Sequence, residues 1–202
     1  MEKGCETIPF ENEANNENFG VLVIAKRLDR GCTVMAVENL CLGYMSDLKN
    51  PNAPCPNCGW LKTMRNAVSQ LQAACTLTGE NQTEKYIVGR TLGQGGFGIS
   101  CLVWNTNRNE RGVVKEFFPA TIATRNNNGK VLPINAKDTA QFKHELDNCL
   151  KEAHKIFNFN NDPNVVSVKN FFQANNTAYI VMEYIDGQTP EQVIQDNGGR
   201  FH

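Results

Sequence analysis

Hydrophobic positions are unevenly spread along this chain. Up to residue 84 they are scattered among Asn, Gln, Cys and Pro without a sustained period; from Lys85 onward they gather into short dense runs separated by polar turns. Residues 86–93, 98–105 and 111–118 are rich in β-branched and aromatic side chains and predict three strands, with 105–112 as a polar turn between the last two. Pro119 closes the third, since proline cannot donate to a ladder. Residues 120–137, with Asn126, Asn127, Asn128 and Gly129 at the centre, predict a long solvent-exposed connection. Helical periodicity begins at Thr139: Phe142, Leu146, Cys149, Leu150, Ala153, Ile156 and Phe157 recur at three- and four-residue steps and form one apolar stripe. Asp162, Pro163 and Asn164 break that helix. Residues 165–172 and 177–184 then predict a hairpin turned at Ala174, Asn175 and Asn176, and residues 189–196 start a further helix. The pattern is α+β: an antiparallel sheet of five strands and one long helix.

The preceding third of the chain divides differently. Residues 1–34 are rich in Glu and Asn as far as Asn18, then briefly hydrophobic, and are expected to be poorly ordered. Met35 reads as a natural opening, so translation from Met1 and from Met35 are both open. Residues 35–60 carry a cysteine pattern. Residues 61–84, with modest helical character around 67–74, read as a linker, and the main domain is expected to run over 85–202.

Composition narrows the function classes. A net charge of −1 over 202 residues offers no electrostatic footprint for nucleic acid or an acidic membrane surface. The apolar run at 21–25 is far short of the ~20 residues that span a bilayer, and neither a basic flank nor a cleavage site accompanies it. The cytoplasm is the expected compartment. Eight cysteines, unevenly spread and partly inside predicted strands and helices, fit reduced thiols better than a disulfide framework.

Cys41, Leu42, Gly43 and Tyr44, then Cys55, Pro56, Asn57 and Cys58, look like the two knuckles of a zinc ribbon, in which four thiolates staple a segment too small for its own core. The second knuckle is complete. In the first, Tyr44 stands where a cysteine is needed, and a phenol is a poor zinc ligand. Candidate ligands for Zn²⁺ are therefore Cys41, Cys55 and Cys58, with Cys32 or Cys75 as possible completions; the alternative is that Cys55 and Cys58 are reduced thiols in a turn.

The densest chemistry lies at Leu92, Gly93, Gln94, Gly95, Gly96, Phe97 and Gly98. A G-x-G-x-x-G string is weak evidence alone, but here residues 99–104 read as a second strand rather than the helix of a dinucleotide fingerprint. Glycines between two antiparallel strands make a flap whose N–H groups can approach phosphate oxygens, with Phe97 at the tip. Lys115, after Val113 and Val114 on the next strand, would point a cation at the same phosphates.

With Val114, Lys115, Glu116, Phe117, Phe118 and Pro119, these residues resemble the small lobe of the bacterial serine/threonine protein kinases. The resemblance covers about residues 85–202 and implies an ATP-binding site. It assigns Glu152 as the helix carboxylate that pairs with Lys115, with Glu145 as its rival, and Met182 as the gatekeeper behind the adenine. Backbone groups of Glu183 and Ile185 would hydrogen-bond the adenine edge. Members of that group often carry an N-terminal ribbon. Where Asp162 stands the family usually has histidine.

Neither the H-R-D-x-x-x-x-N nor the D-F-G motif, which supply the catalytic carboxylate and hold Mg²⁺, occurs in this sequence. The resemblance ends where the catalytic large lobe would begin. Two readings follow: an inactive fragment of a kinase that transfers phosphate from ATP to protein Ser/Thr, or a naturally short, pseudokinase-like interaction module. Without a large lobe, exposed apolar surface is expected to promote self-association.

Overall fold

The strands of this protein form where side chains alternate between two faces, and on the strand Glu110–Phe117 one face is buried while the other, which carries Lys115, is more open. The computed structural model describes residues 37–79, 82–158, 165–187, 193–195 and 198–199. The extension at 1–34, the break at 162–164 and most of the helix expected at 189–196 lie outside the described residues.

Strands β1 (Thr76–Leu77), β2 (Tyr86–Gln94), β3 (Gly98–Asn105) and β4 (Glu110–Phe117) are followed by a small hairpin, β5 (Ala123–Arg125) and β6 (Val131–Pro133). Helix α1 (Thr139–Phe157) and strands β7 (Val168–Ala174) and β8 (Thr177–Glu183) complete the order. The main sheet runs β1-β2-β3-β4-β8-β7, antiparallel throughout. It has six strands rather than the expected five. The extra one is β1, two residues long and too short to register as an alternation; Leu77 is buried by its pairing with β2.

Turn chemistry closes the ladders. Asn105 Oδ1 accepts the N–H groups of Asn107 and Arg108 at 3.0 and 3.1 Å, an Asx turn between β3 and β4. Asn175 and Asn176 both take the left-handed conformation that a two-residue hairpin between β7 and β8 demands.

The connection over 120–137 is not the exposed loop its asparagines suggest. Ile122, Ala123 and Val131 are buried in the main core, and β5 and β6 pair across a turn at Gly129, φ +77°. Its polarity is spent internally: Asn126 Oδ1 accepts the N–H groups of Asn128 and Lys130. Arg125 lies nearly buried against the fully buried Glu116.

Residues 61–79 and 82–84, expected as a linker, lie against the sheet as well. Leu71 and Leu77 join the main core, and Asn66 serves the β2 bulge by donating to the carbonyls of Leu71 and Gly89 and accepting the Thr91 N–H.

Register fixes which side chains share a face, because directly paired residues point the same way. Ser100 pairs with Lys115, Leu102 with Val113, Trp104 with Arg111, Val113 with Met182 and Lys115 with Ile180. These form the front face. Val103, Val114, Glu116, Tyr179 and Val181 alternate onto the back.

Candidate functional site

The glycine-rich segment is a turn between β2 and β3, and a strand, not a helix, follows its third glycine. The Gly95 N–H closes the turn onto the Gly98 carbonyl at 2.9 Å, while the N–H groups of Phe118 and Ala120 reach the carbonyls of Phe97 and Gly96 at 3.0 and 3.3 Å. Gly93, Gly95 and Gly96 have open space where a side chain would stand. Gly98 does not: a Cβ there would lie 2.7 Å from the Glu116 carbonyl oxygen and 3.3 Å from Lys115 Cε. The last glycine therefore lets the flap settle onto β4 and brings the Lys115 stem beneath it. Leu92 and Phe97 are exposed at the flap.

Lys115 lines a cavity of about 620 Å³ between the front face and α1. Phe97 lies at its flap edge; Glu145, Cys149 and Glu152 border it from the helix; Ile180 and Met182 border it from β8. Both candidate glutamates are thus brought to the lysine's cavity. No ion pair within 4.0 Å joins Lys115 to either one among the described residues. Glu145 Oε1 accepts the Gln141 side chain at 2.7 Å, a tie along its own helix. Cys149, one helical turn from both glutamates, feels burial first, which raises its thiol pKa, with Lys115 opposing and Glu152 adding. The helical stripe marked Cys149 as core, and its polar neighbourhood was not legible without the sheet.

At the far end of β8, Met182 is half-buried and lines the cavity. The N–H of Glu183 is occupied by the Ser167 carbonyl at 3.0 Å, and its carboxylate accepts the Ser167 N–H at 2.8 Å. Ile185 beyond it is 61% exposed.

Cys41, Cys55 and Cys58 bring three Sγ atoms within 4.8 Å of one another. Six described cysteines, these three included, are free, and the Sγ atoms of Cys41 and Cys58 stand 3.5 Å apart. Burial, then the Cys55 thiol, push Cys41 up to about 12. Burial also raises Cys55, but the N–H groups of Asn57 and Cys58 and the Cys41 thiol together hold it below its ordinary value. Three converging sulfurs suit a thiophilic cation. Cys75 does not complete the set: it packs against the main core beside Cys101 and Glu116. Cys32 lies outside the described residues.

The two knuckles share one backbone. Cys41 N–H reaches the Ser46 carbonyl as Cys55 N–H reaches that of Trp60, at 2.8 and 2.9 Å. Met45 and Gly59, four residues after each cysteine, return an N–H to it and are left-handed, φ +53° and +70°. Tyr44 therefore occupies the place of Cys58, with its side chain turned to another use. Its ring lies 4.9 Å from the Arg111 guanidinium and its hydroxyl donates to Asp186 Oδ2 at 3.2 Å. Arg111 also stacks on Tyr184 at 4.8 Å and stands 3.7 Å from Asp186. Sequence reasoning gave Arg111, Tyr184 and Asp186 no role of their own, although the run from Tyr179 to Gly187 reads as a strand and hinge.

No family model matches the chain. Among curated proteins it is 30% identical over 118 residues to mouse serine/threonine-protein kinase Nek3, covering 58% of this chain and 19% of that protein. It is 33% identical over 104 residues to human serine/threonine-protein kinase Nek5, covering 52% of this chain and 12% of that one. The solved structure of PpkA-294 in its apo form matches with a TM-score of 0.57 at 21% identity, over 63% of this chain and 43% of that one. The chain spans less than a fifth of the length of these curated relatives. The likenesses support a kinase-like family and, from the solved structure, a kinase-like fold; a bacterial grouping and a zinc ribbon are not part of what they support.

Proposed function

We propose that residues 85–202 are the ATP-binding small lobe of a serine/threonine protein kinase. The observation that carries this reading is Lys115, on the wall of a 620 Å³ cavity, under a glycine turn and facing two helix carboxylates. Flap N–H groups address the phosphates, the Lys115 ammonium neutralises part of their charge, and Glu152 holds the lysine in place when α1 closes by a further small movement. Met182 closes the back of the adenine end, and the segment after β8 offers backbone at its edge. With the Glu183 N–H already paired, its carbonyl and the backbone of Ile185 are the groups left for that role. In a complete kinase Mg²⁺ neutralises the β- and γ-phosphates, and a carboxylate orients the attacking hydroxyl of a protein substrate. Those groups come from motifs outside the given 202 residues, so a polypeptide of these residues alone binds and presents ATP without turning it over.

The test is equilibrium binding of a fluorescent ATP analogue to wild type and Lys115→Met. Loss of a charge-assisted contact worth about 1.5–3 kcal/mol predicts a weakening of about tenfold or more in the variant. Equal affinity in the two folded proteins, or no binding at all, overturns the reading. Phosphate transfer abolished by Lys115→Met would instead overturn the lack of turnover. The missing motifs also support a second reading, a non-catalytic interaction module. Genomic sequence past codon 202 separates the two: an open frame containing H-R-D and D-F-G supports the fragment, and a stop codon supports the module.

For the ribbon we infer a Zn²⁺ site held by Cys41, Cys55 and Cys58, supported by the convergence of their sulfurs; metal analysis of protein purified without chelator tests it. No helix among the described residues is long and apolar enough to cross a membrane. A cytoplasmic protein whose exposed Ile156, Phe157, Val165 and Val166 favour self-association is the reading we carry forward, and a monodisperse monomer at high concentration would contradict the second half.

A further inference from the structure

The ribbon does not hang from the lobe on a tether. Leu40, Leu42 and Met45 are buried against Ile87, Leu102 and Trp104, with Trp60 and Tyr184 packed on the same cluster. The Arg90 N–H reaches the Leu42 carbonyl at 2.8 Å. A Cβ on Gly89 would stand 2.3 Å from the Leu42 oxygen and 2.4 Å from Met45 Cε, so the two backbones meet where only glycine fits.

Leu102 and Trp104 belong to the front face, in register with Val113 and Arg111, two and four residues along β4 from Lys115. Ribbon and nucleotide cavity therefore share one face of one sheet. Where the ribbon meets the segment after β8, the Arg111 guanidinium is held between the rings of Tyr44 and Tyr184, and Asp186 accepts from Tyr44. Tyr44 is the first knuckle's departure from the four-cysteine pattern, and it spends that position on the segment expected to meet the adenine edge.

We propose that the ribbon positions this segment: a thiophilic divalent metal ion on Cys41, Cys55 and Cys58 and an adenine nucleotide beside residues 184–187 strengthen each other's binding through Tyr44, Arg111 and Asp186. The proposal rests on the ATP-binding and zinc readings above and adds a regulatory link between them. Metal fixes the first knuckle through Cys41. Tyr44, three residues on, then holds Arg111 and Asp186 in the arrangement that nucleotide meets. Linkage requires the effect to be reciprocal.

The experiment uses the full chain under reducing conditions. Zn²⁺ affinity is read by competition with a chromophoric chelator, with and without ATP, and amide hydrogen exchange at residues 184–187 is read with and without Zn²⁺. Zn²⁺ is expected to slow exchange at 184–187 severalfold, and each ligand to tighten the other by the same factor, about fivefold or more. Tyr44→Ala keeps the Zn²⁺ affinity and loses both effects. If that variant fails to fold, Asp186→Asn, at an exposed position, is expected to reduce the same two readouts. Zn²⁺ that binds while exchange at 184–187 stays unchanged overturns the link, as does Zn²⁺ that fails to bind. Failure of ATP to bind removes the nucleotide reading, and the exchange measurement still decides whether the ribbon holds the segment.

Discussion

The two faces of the main sheet are built from the same five long strands and treat charge in opposite ways. On the back, Glu116 is fully buried, paired with Arg125, and accepts the Tyr179 hydroxyl at 2.9 Å. Arg125 in turn donates to the carbonyls of Ser69 and Gly129, and Asn175 donates to Tyr179. On the front, Lys115 has a cavity before it and no ion pair among the described residues. Adjacent residues of one strand thus hold one charge that is fully satisfied and one held open. A buried charge needs its partners inside the fold, whereas the exposed Lys115 ammonium keeps its hydration. Burial raises the Glu116 carboxyl pKa against the opposing pull of Arg125 and the Tyr179 hydroxyl.

The sharpest way to break the contrast is to orphan the back-face charge. Arg125→Ala leaves Glu116 buried without its cation and should cost about 3–5 kcal/mol, read as a fall in the urea midpoint, whereas replacing both partners with apolar residues should cost much less. A small loss in Arg125→Ala would mean that the hairpin is dispensable. Lys115→Met is the counterpart on the front: nucleotide affinity should fall about tenfold or more while stability shifts by less than about 0.5 kcal/mol. Equal destabilisation by the two variants would erase the distinction between the faces.

Within the front face, Tyr44→Cys should complete a four-thiolate knuckle. Zn²⁺ affinity should rise on the order of tenfold in chelator competition, and hydrogen exchange at 184–187 should accelerate because the clasp on Arg111 is gone. An unchanged exchange rate would detach Tyr44 from that segment. The smallest effect is expected at Glu84, on the sheet margin. Burial raises its pKa, but the Tyr86 hydroxyl and the Arg108 guanidinium outweigh that and hold it below the ordinary 4.5. The folded chain then binds fewer protons than the unfolded one, so this stabilisation is present above about 4.5 and lost as pH falls through the folded value. Glu84→Gln should flatten that acid limb, by no more than about 1 kcal/mol for a partly exposed pair. Parallel limbs in wild type and variant would remove Glu84 from the account.

Strands β2, β3, β4 and β8 and the start of helix α1 could be placed within a residue or two from the sequence, and β7 within three, because each gathers apolar positions densely enough to declare itself. The glycine turn between β2 and β3 and the place of Lys115 on β4 were legible for a different reason, since glycines clustered between two β-branched runs mark a turn. What stayed hidden are contacts that have no period. Thr76 and Leu77 are too few to alternate. Arg125 sits among asparagines and reads as solvated until Glu116 is seen beneath it. Tyr44 reads as a lost zinc ligand until Arg111, Tyr184 and Asp186 converge on it.

The sequence by itself determined the local choices: which residues extend, which coil, and where asparagine and glycine turn the chain. Only the tertiary structure decided that the segment of Leu40, Leu42 and Met45 packs on the sheet face of Lys115, that Glu145 and Glu152 border one cavity, and that a charged pair nine residues apart is buried. Periodicity and turn chemistry act over a few residues and are written along the chain. Which face a distant segment covers depends on register and on shape fitted across the sheet, and neither is carried by neighbouring letters.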